Sequence, residues 1–127
     1  MPKRILIVDD DPDLVEAVTM ILESKKFDVT AAYGGLEGLE KARTEKPDLI
    51  VLDVMMPDKD GYAVCKEMKA DPQLKKIPIL LLTAVVSKIP TTHYTQQMGL
   101  ETEADDYMDK PVEPAELVNR IEVLLAK

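Results

Sequence analysis

The chain has 127 residues, enough for one well-packed domain and too few for two. Apolar residues make up 46% and charged residues 31%, a balance that excludes an intrinsically disordered chain. With 16 basic against 24 acidic side chains the net charge is -8, which argues against direct nucleic-acid or membrane binding and suits a cation or a basic partner surface. The single cysteine, Cys65, has no partner for an internal disulfide, and no apolar run approaches the roughly 20 residues of a membrane span. The expected location is the cytoplasm.

Arg4 to Val8 is a short β-branched run, read as a first strand, and it breaks into Asp9-Asp10-Asp11. Asp11 is placed to cap a helix whose first position is Pro12, and Leu14, Val18, Ile21 and Leu22 recur at helical spacing up to about Lys25. Phe27 to Ala31 alternates and reads as a second strand at the sheet edge. After Gly34-Gly35, Leu36, Leu39 and Ala42 place a second helix that ends before Pro47. Leu49 to Leu52 is continuously aliphatic, as expected of a strand buried on both faces, and Asp53 stands at its end. Val64, Cys65 and Met68 mark a third helix that stops near Asp71-Pro72. Ile79 to Leu82 reads as a fourth buried strand ending at Thr83. A fourth helix is expected between Val85 and Thr102, with Pro90 interrupting or delaying it, and a short fifth strand precedes Lys110-Pro111. Pro114 opens a last helix with Leu117, Ile121, Leu124 and Leu125 facing inward.

Strands alternating with helices imply a parallel sheet covered on both faces, with right-handed crossovers. At this length the expected architecture is a flavodoxin-like (βα)5 three-layer sandwich of strand order 2-1-3-4-5, spanning residues 1–127 as one domain.

All strand carboxyl ends of a parallel sheet lie on one edge, where open α/β sheets bind ligands. Asp9-Asp10-Asp11, Asp53, Thr83 and Lys110 follow the first, third, fourth and fifth strands, so the fold brings them together. Singly each has an ordinary explanation, such as a turn residue, a helix cap or a surface lysine. Carboxylates gathered together repel, and a hard divalent cation such as Mg²⁺ relieves that repulsion. A lysine then holds a phosphoryl oxygen as a point charge, and a threonine hydroxyl donates to another. Carboxylate nucleophile, cation, lysine and hydroxyl describe a site that forms an aspartyl phosphate on Asp53. His93, the only histidine, lies on a polar stretch and is expected at the surface, and Cys65 is expected in the core.

The segments Ile5 to Asp11, Asp48 to Pro57 with Asp60-Gly61, Leu82-Thr83-Ala84 and Ala104 to Pro111 carry an end-to-end resemblance to the receiver domain of two-component response regulators. The resemblance implies that Asp53 is the phosphoacceptor and that Asp9 and Asp10 bind Mg²⁺ (or Mn²⁺), with the backbone carbonyl of Met55 as a further ligand. Thr83 and Lys110 match the hydroxyl and lysine that grip the phosphoryl group, and Lys110-Pro111 matches a cis peptide. Tyr107 matches the aromatic that swings inward when Thr83 moves. That switch repacks the face formed by the helix after the fourth strand, the fifth strand and the last helix. The phosphoryl donor implied is a sensor histidine kinase or a histidine phosphotransfer protein, and the output is a downstream protein effector.

On this reading the chain is no enzyme beyond its own phosphorylation and slow dephosphorylation, and is a monomer or a phosphorylation-dependent dimer. It ends soon after its last apolar helix position, which gives the expectation of either a stand-alone receiver acting through a partner or an excised one. The family pattern is departed from at Glu103-Ala104, where Gly-Ala is frequent, and in the long span from Thr83 to Lys110. Met55 and Val85 occupy the positions that influence how water reaches the phosphoryl group, and both are apolar, which implies a long-lived phosphorylated state. The alternative is a small haloacid-dehalogenase-like phosphatase with Asp9 as nucleophile. Against it stand Asp13, where that family has threonine, and the intervening Pro12.

Overall fold

A computed structural model of the protein describes residues 2–83, 104–110 and 112–127. The helix expected between Val85 and Thr102, the positions of Pro90 and His93, and the peptide bond to Pro111 lie outside the described residues. The elements in order are β1 (Arg4–Val8), α1 (Pro12–Ser24), β2 (Asp28–Ala32), α2 (Gly35–Glu45), β3 (Leu49–Asp53), α3 (Gly61–Ala70), β4 (Ile79–Thr83), β5 (Asp106–Asp109) and α4 (Pro114–Ala126). The five strands form one parallel sheet in the order β2-β1-β3-β4-β5. This is the flavodoxin-like arrangement expected, with β2 at one edge.

Local chemistry starts the helices where the sequence places them. Asp11 accepts from the N–H groups of Asp13 and Leu14, and Pro12 takes the first helical position, where its missing N–H is no loss. Glu113 does the same for α4, accepting from Ala115 and Glu116 ahead of Pro114. The helix α2 differs, because Gly34 at its N-cap has no side chain to offer.

Every residue of β3 and β4 is buried, as continuous apolar runs require when both faces are covered. Alternation divides them between two cores. Ile50, Leu52, Ile79 and Leu81 pack with Leu39, Ala42, Val64, Cys65 and Met68 of α2 and α3. Leu49, Val51, Leu80 and Leu82 pack on the other face with Val15, Val18 and Leu22 of α1 and Leu117 and Ile121 of α4. Cys65 is fully buried, as expected. Leu36 departs from the apolar pattern: it is 61% exposed, and the inner face of α2 is Gly35, Gly38, Leu39 and Ala42. Gly38 lies so close to β1 that a Cβ there would meet Val8 Cγ1 at 2.8 Å, so a small residue sets the helix–sheet distance.

Candidate functional site

The carboxyl edge of the sheet brings the expected groups together. Asp9 follows β1 with its N–H donating to Ala32 O at 3.1 Å, and its side chain is fully buried. Its Oδ1 accepts from Asp11 N–H at 2.9 Å. Asp53 closes β3 and is 2% exposed, whereas Asp10 is exposed. One ligand oxygen from each of Asp9, Asp10 and Asp53 lies within 4.8 Å of the others.

Lys110 enters this cluster from the end of β5. Its backbone N–H donates to Thr83 O at 2.8 Å, which fixes its stem beside β4. Its Nζ lies 3.1 Å from Asp9 Oδ2 and 2.8 Å from Asp53 Oδ1. The approach to Asp53 is an ion pair without hydrogen-bond alignment, so Asp53 Oδ1 is a buried oxygen with no hydrogen-bond partner among the described residues. Burial pushes the Asp53 carboxyl up from its ordinary pKa, and the neighbouring Asp9 charge adds to this against the pull of Lys110 and the Met55 amide. Burial likewise raises Asp9, opposed by the Asp11 N–H and by Lys110. Burial pulls Lys110 down, but its two carboxylate neighbours, Asp53 foremost, outweigh that and raise it.

Two buried carboxylates that share one ammonium, with an exposed third beside them, fit a hard divalent cation. Such a cation takes a few carboxylate oxygens and keeps several waters. Asp9, Asp10 and Asp53 are the residues that could hold it. Met55 lies just beyond β3 with its side chain 60% exposed.

Thr83 ends β4 fully buried, and among the described residues its hydroxyl donates only a long 3.5 Å hydrogen bond to Asp109. Thr83 and half-buried Tyr107 line one cavity of about 320 Å³, with Tyr62, Met108, Glu116 and Arg120. Arg120 donates to Tyr107 O at 2.8 Å and to Asp106 at 2.9 Å, tying α4 to β5. Val85 lies outside the described residues. Sequence reading missed Asp58, whose carboxylate accepts from the N–H groups of Gly35 and Leu36 and so caps α2 from another loop. The only signal for it was a helix start with no side-chain cap.

An open parallel α/β domain with an acidic cluster and a lysine at its carboxyl edge belongs to the class suited to phosphoryl transfer onto a carboxylate, which includes both signalling domains and phosphatases. Family comparison narrows this class. Residues 5–122 match the family described as the response regulator receiver domain, and the chain belongs to that family. It is 45% identical over its full length to the alkaline phosphatase synthesis transcriptional regulatory protein PhoP of Bacillus subtilis, of which it covers 50%. A putative response regulator from Chloroflexus aurantiacus superposes with a TM-score of 0.90 at 37% identity, each chain covered completely. The receiver domain of a sensor histidine kinase from Pseudomonas aeruginosa, solved with magnesium in its active-site cleft, gives 0.88 at 26% identity, again with both chains covered completely. The chain spans about half the length of the curated relatives it matches. These comparisons give no support to the phosphatase alternative. No helix among the described residues is long and apolar enough to cross a membrane.

Proposed function

We propose that Asp53 is the phosphoacceptor of this receiver domain and that Asp9, Asp10 and Lys110 serve it. The observation that carries the reading is the Lys110 ammonium bridging buried Asp9 and Asp53 beside Asp10. In the reaction a carboxylate oxygen of Asp53 forms a bond to phosphorus while the bond from phosphorus to an imidazole nitrogen of the donor breaks. The electron pair of that bond leaves with the imidazole. Asp53 must be ionised to attack, and Lys110 opposes the burial that favours its protonated form.

Asp9, Asp10 and Asp53, with the Met55 carbonyl, would hold Mg²⁺ or Mn²⁺. A bound cation supplies charge neutralisation for the phosphoryl oxygens. Lys110 offers a second positive charge to the same oxygens. Thr83, whose hydroxyl is only loosely held by Asp109, is free to donate to a phosphoryl oxygen. Its movement alters the cavity it shares with Tyr107, and an inward turn of Tyr107 would repack the β5–α4 face.

The donor is a histidine kinase or a histidine phosphotransfer protein. The Bacillus relative is named as a transcriptional regulator, so the output proposed is control of transcription through a DNA-binding segment or partner. A net charge of -8 leaves this domain itself poorly suited to contact DNA. An Asp53→Ala substitution assayed for phosphotransfer across candidate kinases tests the reading, with the adduct located by peptide mass spectrometry. Label on Asp9, or undiminished labelling of Asp53→Ala, would reject it.

A further inference from the structure

Residues 54–60 join β3 to α3, and the ends of this loop are closed by the main chain. Val54 N–H donates to Leu82 O at 3.1 Å, and Gly61 N–H donates back to Val54 O at 2.8 Å. Asp60 is engaged in capping α3 through Ala63 N–H. Asp58 instead reaches out of its own loop, accepting from Gly35 N–H at 3.0 Å and Leu36 N–H at 3.1 Å. Contact between the loop and α2 is close enough to exclude a side chain at Gly35 and to crowd one at Gly34. A Cβ on Gly35 would lie 2.8 Å from Lys59 O, and one on Gly34 would lie 3.0 Å from Asp58 Oδ2. The first turn of α2 and the loop after β3 are therefore one locked unit.

The other end of the lock is β1. Gly38, one helical turn along from Gly34, packs directly on Val8, the residue before Asp9. A path of close contacts thus runs from Asp58 through α2 to the strand end that carries Asp9 and Asp10. The same loop carries Met55 immediately after Val54.

We propose that Asp58 is a positioning residue for the cation site, setting the loop of Met55 and the end of β3 at a fixed spacing from Asp9 and Asp10. Asp58 touches neither cation nor phosphoryl group, and it acts through the backbone of α2. This inference rests on the proposed reading of Asp9, Asp10 and Asp53 as cation ligands.

The test is titration of the unphosphorylated chain with MgCl₂ by calorimetry, comparing wild type with Asp58→Ala, Asp58→Asn, Glu40→Gly and Asp10→Asn. Thermal melts without metal establish that each variant is folded. Asp58→Ala is expected to bind Mg²⁺ about tenfold more weakly, the lower end of the effect of removing an outer support of a metal site. Asp58→Asn should fall between, because its amide oxygen accepts while its NH₂ group opposes the second N–H. Glu40→Gly weakens α2 at an exposed position beyond its first turn, away from the N–H groups that Asp58 accepts from, and should bind as wild type does. Unchanged affinity in Asp58→Ala, with affinity lost in Asp10→Asn, would overturn the inference alone. So would a Glu40→Gly loss as large as that of Asp58→Ala, which would make the effect one of helix stability. No Mg²⁺ binding by wild type, or normal binding by Asp10→Asn, would overturn the cation reading and this inference with it.

Discussion

Lys110 lies 2.8 Å from Oδ1 of Asp53, and that buried oxygen has no other polar neighbour bonded to it among the described residues. The same ammonium holds Asp9 at 3.1 Å, so one cation balances two buried carboxylates. Lys110→Ala removes it, and breaking a buried pair by removing one partner costs about 3 kcal/mol or more. The pH dependence has a definite sign. Burial already raises both carboxyl pKa values, and the substitution raises them further. With raised values the folded state takes up protons before the unfolded state does, so the stability of the variant climbs as pH falls through the folded values. The deficit against wild type should therefore be largest at neutral pH and shrink on acidification. Urea melts of both proteins at two pH values check this, and a deficit independent of pH would contradict it.

Like charges within 4.8 Å of one another make the cation-free site a source of instability. At about 4 Å a pair of unit charges repels by about 1 kcal/mol in water and about 4 kcal/mol near a protein surface. Asp10→Asn and Asp53→Asn should each raise the melting temperature in EDTA. Wild type should gain about 2.7 kcal/mol when Mg²⁺ is present at about 100 times its dissociation constant. Both variants should respond less. Thermal melts with EDTA and with MgCl₂ measure this, and a full Mg²⁺ response in Asp10→Asn would remove that residue from the ligand set.

The elements legible in the sequence were those whose signal is chemical and local. Continuous aliphatic runs announced β3 and β4, and Asp11-Pro12 announced α1. The site was legible because a parallel sheet sends all its strand ends to one edge, so the topology alone gathered Asp9, Asp53, Thr83 and Lys110. Hydropathy misled at Leu36, since two of the four inner-face residues of α2, Gly35 and Gly38, are glycines that carry no apolar signal. Asp58 was invisible for a different reason. It caps a helix that begins 23 residues earlier, and no local pattern encodes a cap delivered across the fold. The Lys69 hydrogen bonds to Ile77 O and Asp105, which tie α3 to the approach to β5, are of the same long-range kind.

Gly61 is where the loop after β3 turns into α3, and its need for glycine is steric. A Cβ there would stand 2.1 Å from Asp53 O and 2.8 Å from Val54 Cα, both main-chain atoms that cannot step aside cheaply. Gly61→Ala must therefore displace the backbone of Asp53 itself. A loss of about 3 kcal/mol is expected, at the upper end for overpacking because backbone rather than side chain must yield. Phosphorylation should fall with it even where the variant remains folded. Acetyl phosphate labelling read by intact mass, at a temperature well below the melt of the variant, separates the two effects. Labelling at the wild-type rate would show that Asp53 tolerates the shift.

The persistence of the phosphorylated state is expected to turn on Met55. Its side chain stands 60% exposed beside the end of β3, where it is apolar and offers no group to orient an attacking water. Loss of phosphate requires water in line with the phosphorus–oxygen bond to Asp53, and a neighbouring amide or acid supplies that alignment where one exists. Met55→Asn introduces such a group at an exposed position, so the fold should tolerate it with a change within about 0.5 kcal/mol. The expected consequence is faster loss of phosphate from Asp53, by about one order of magnitude, with phosphorylation itself little changed. The two rates are separable. Labelling with acetyl phosphate followed by rapid desalting gives a decay curve by intact mass for wild type and variant. A decay that is unchanged or slower in Met55→Asn would show that water access is governed elsewhere and would end the argument for a built-in slow switch.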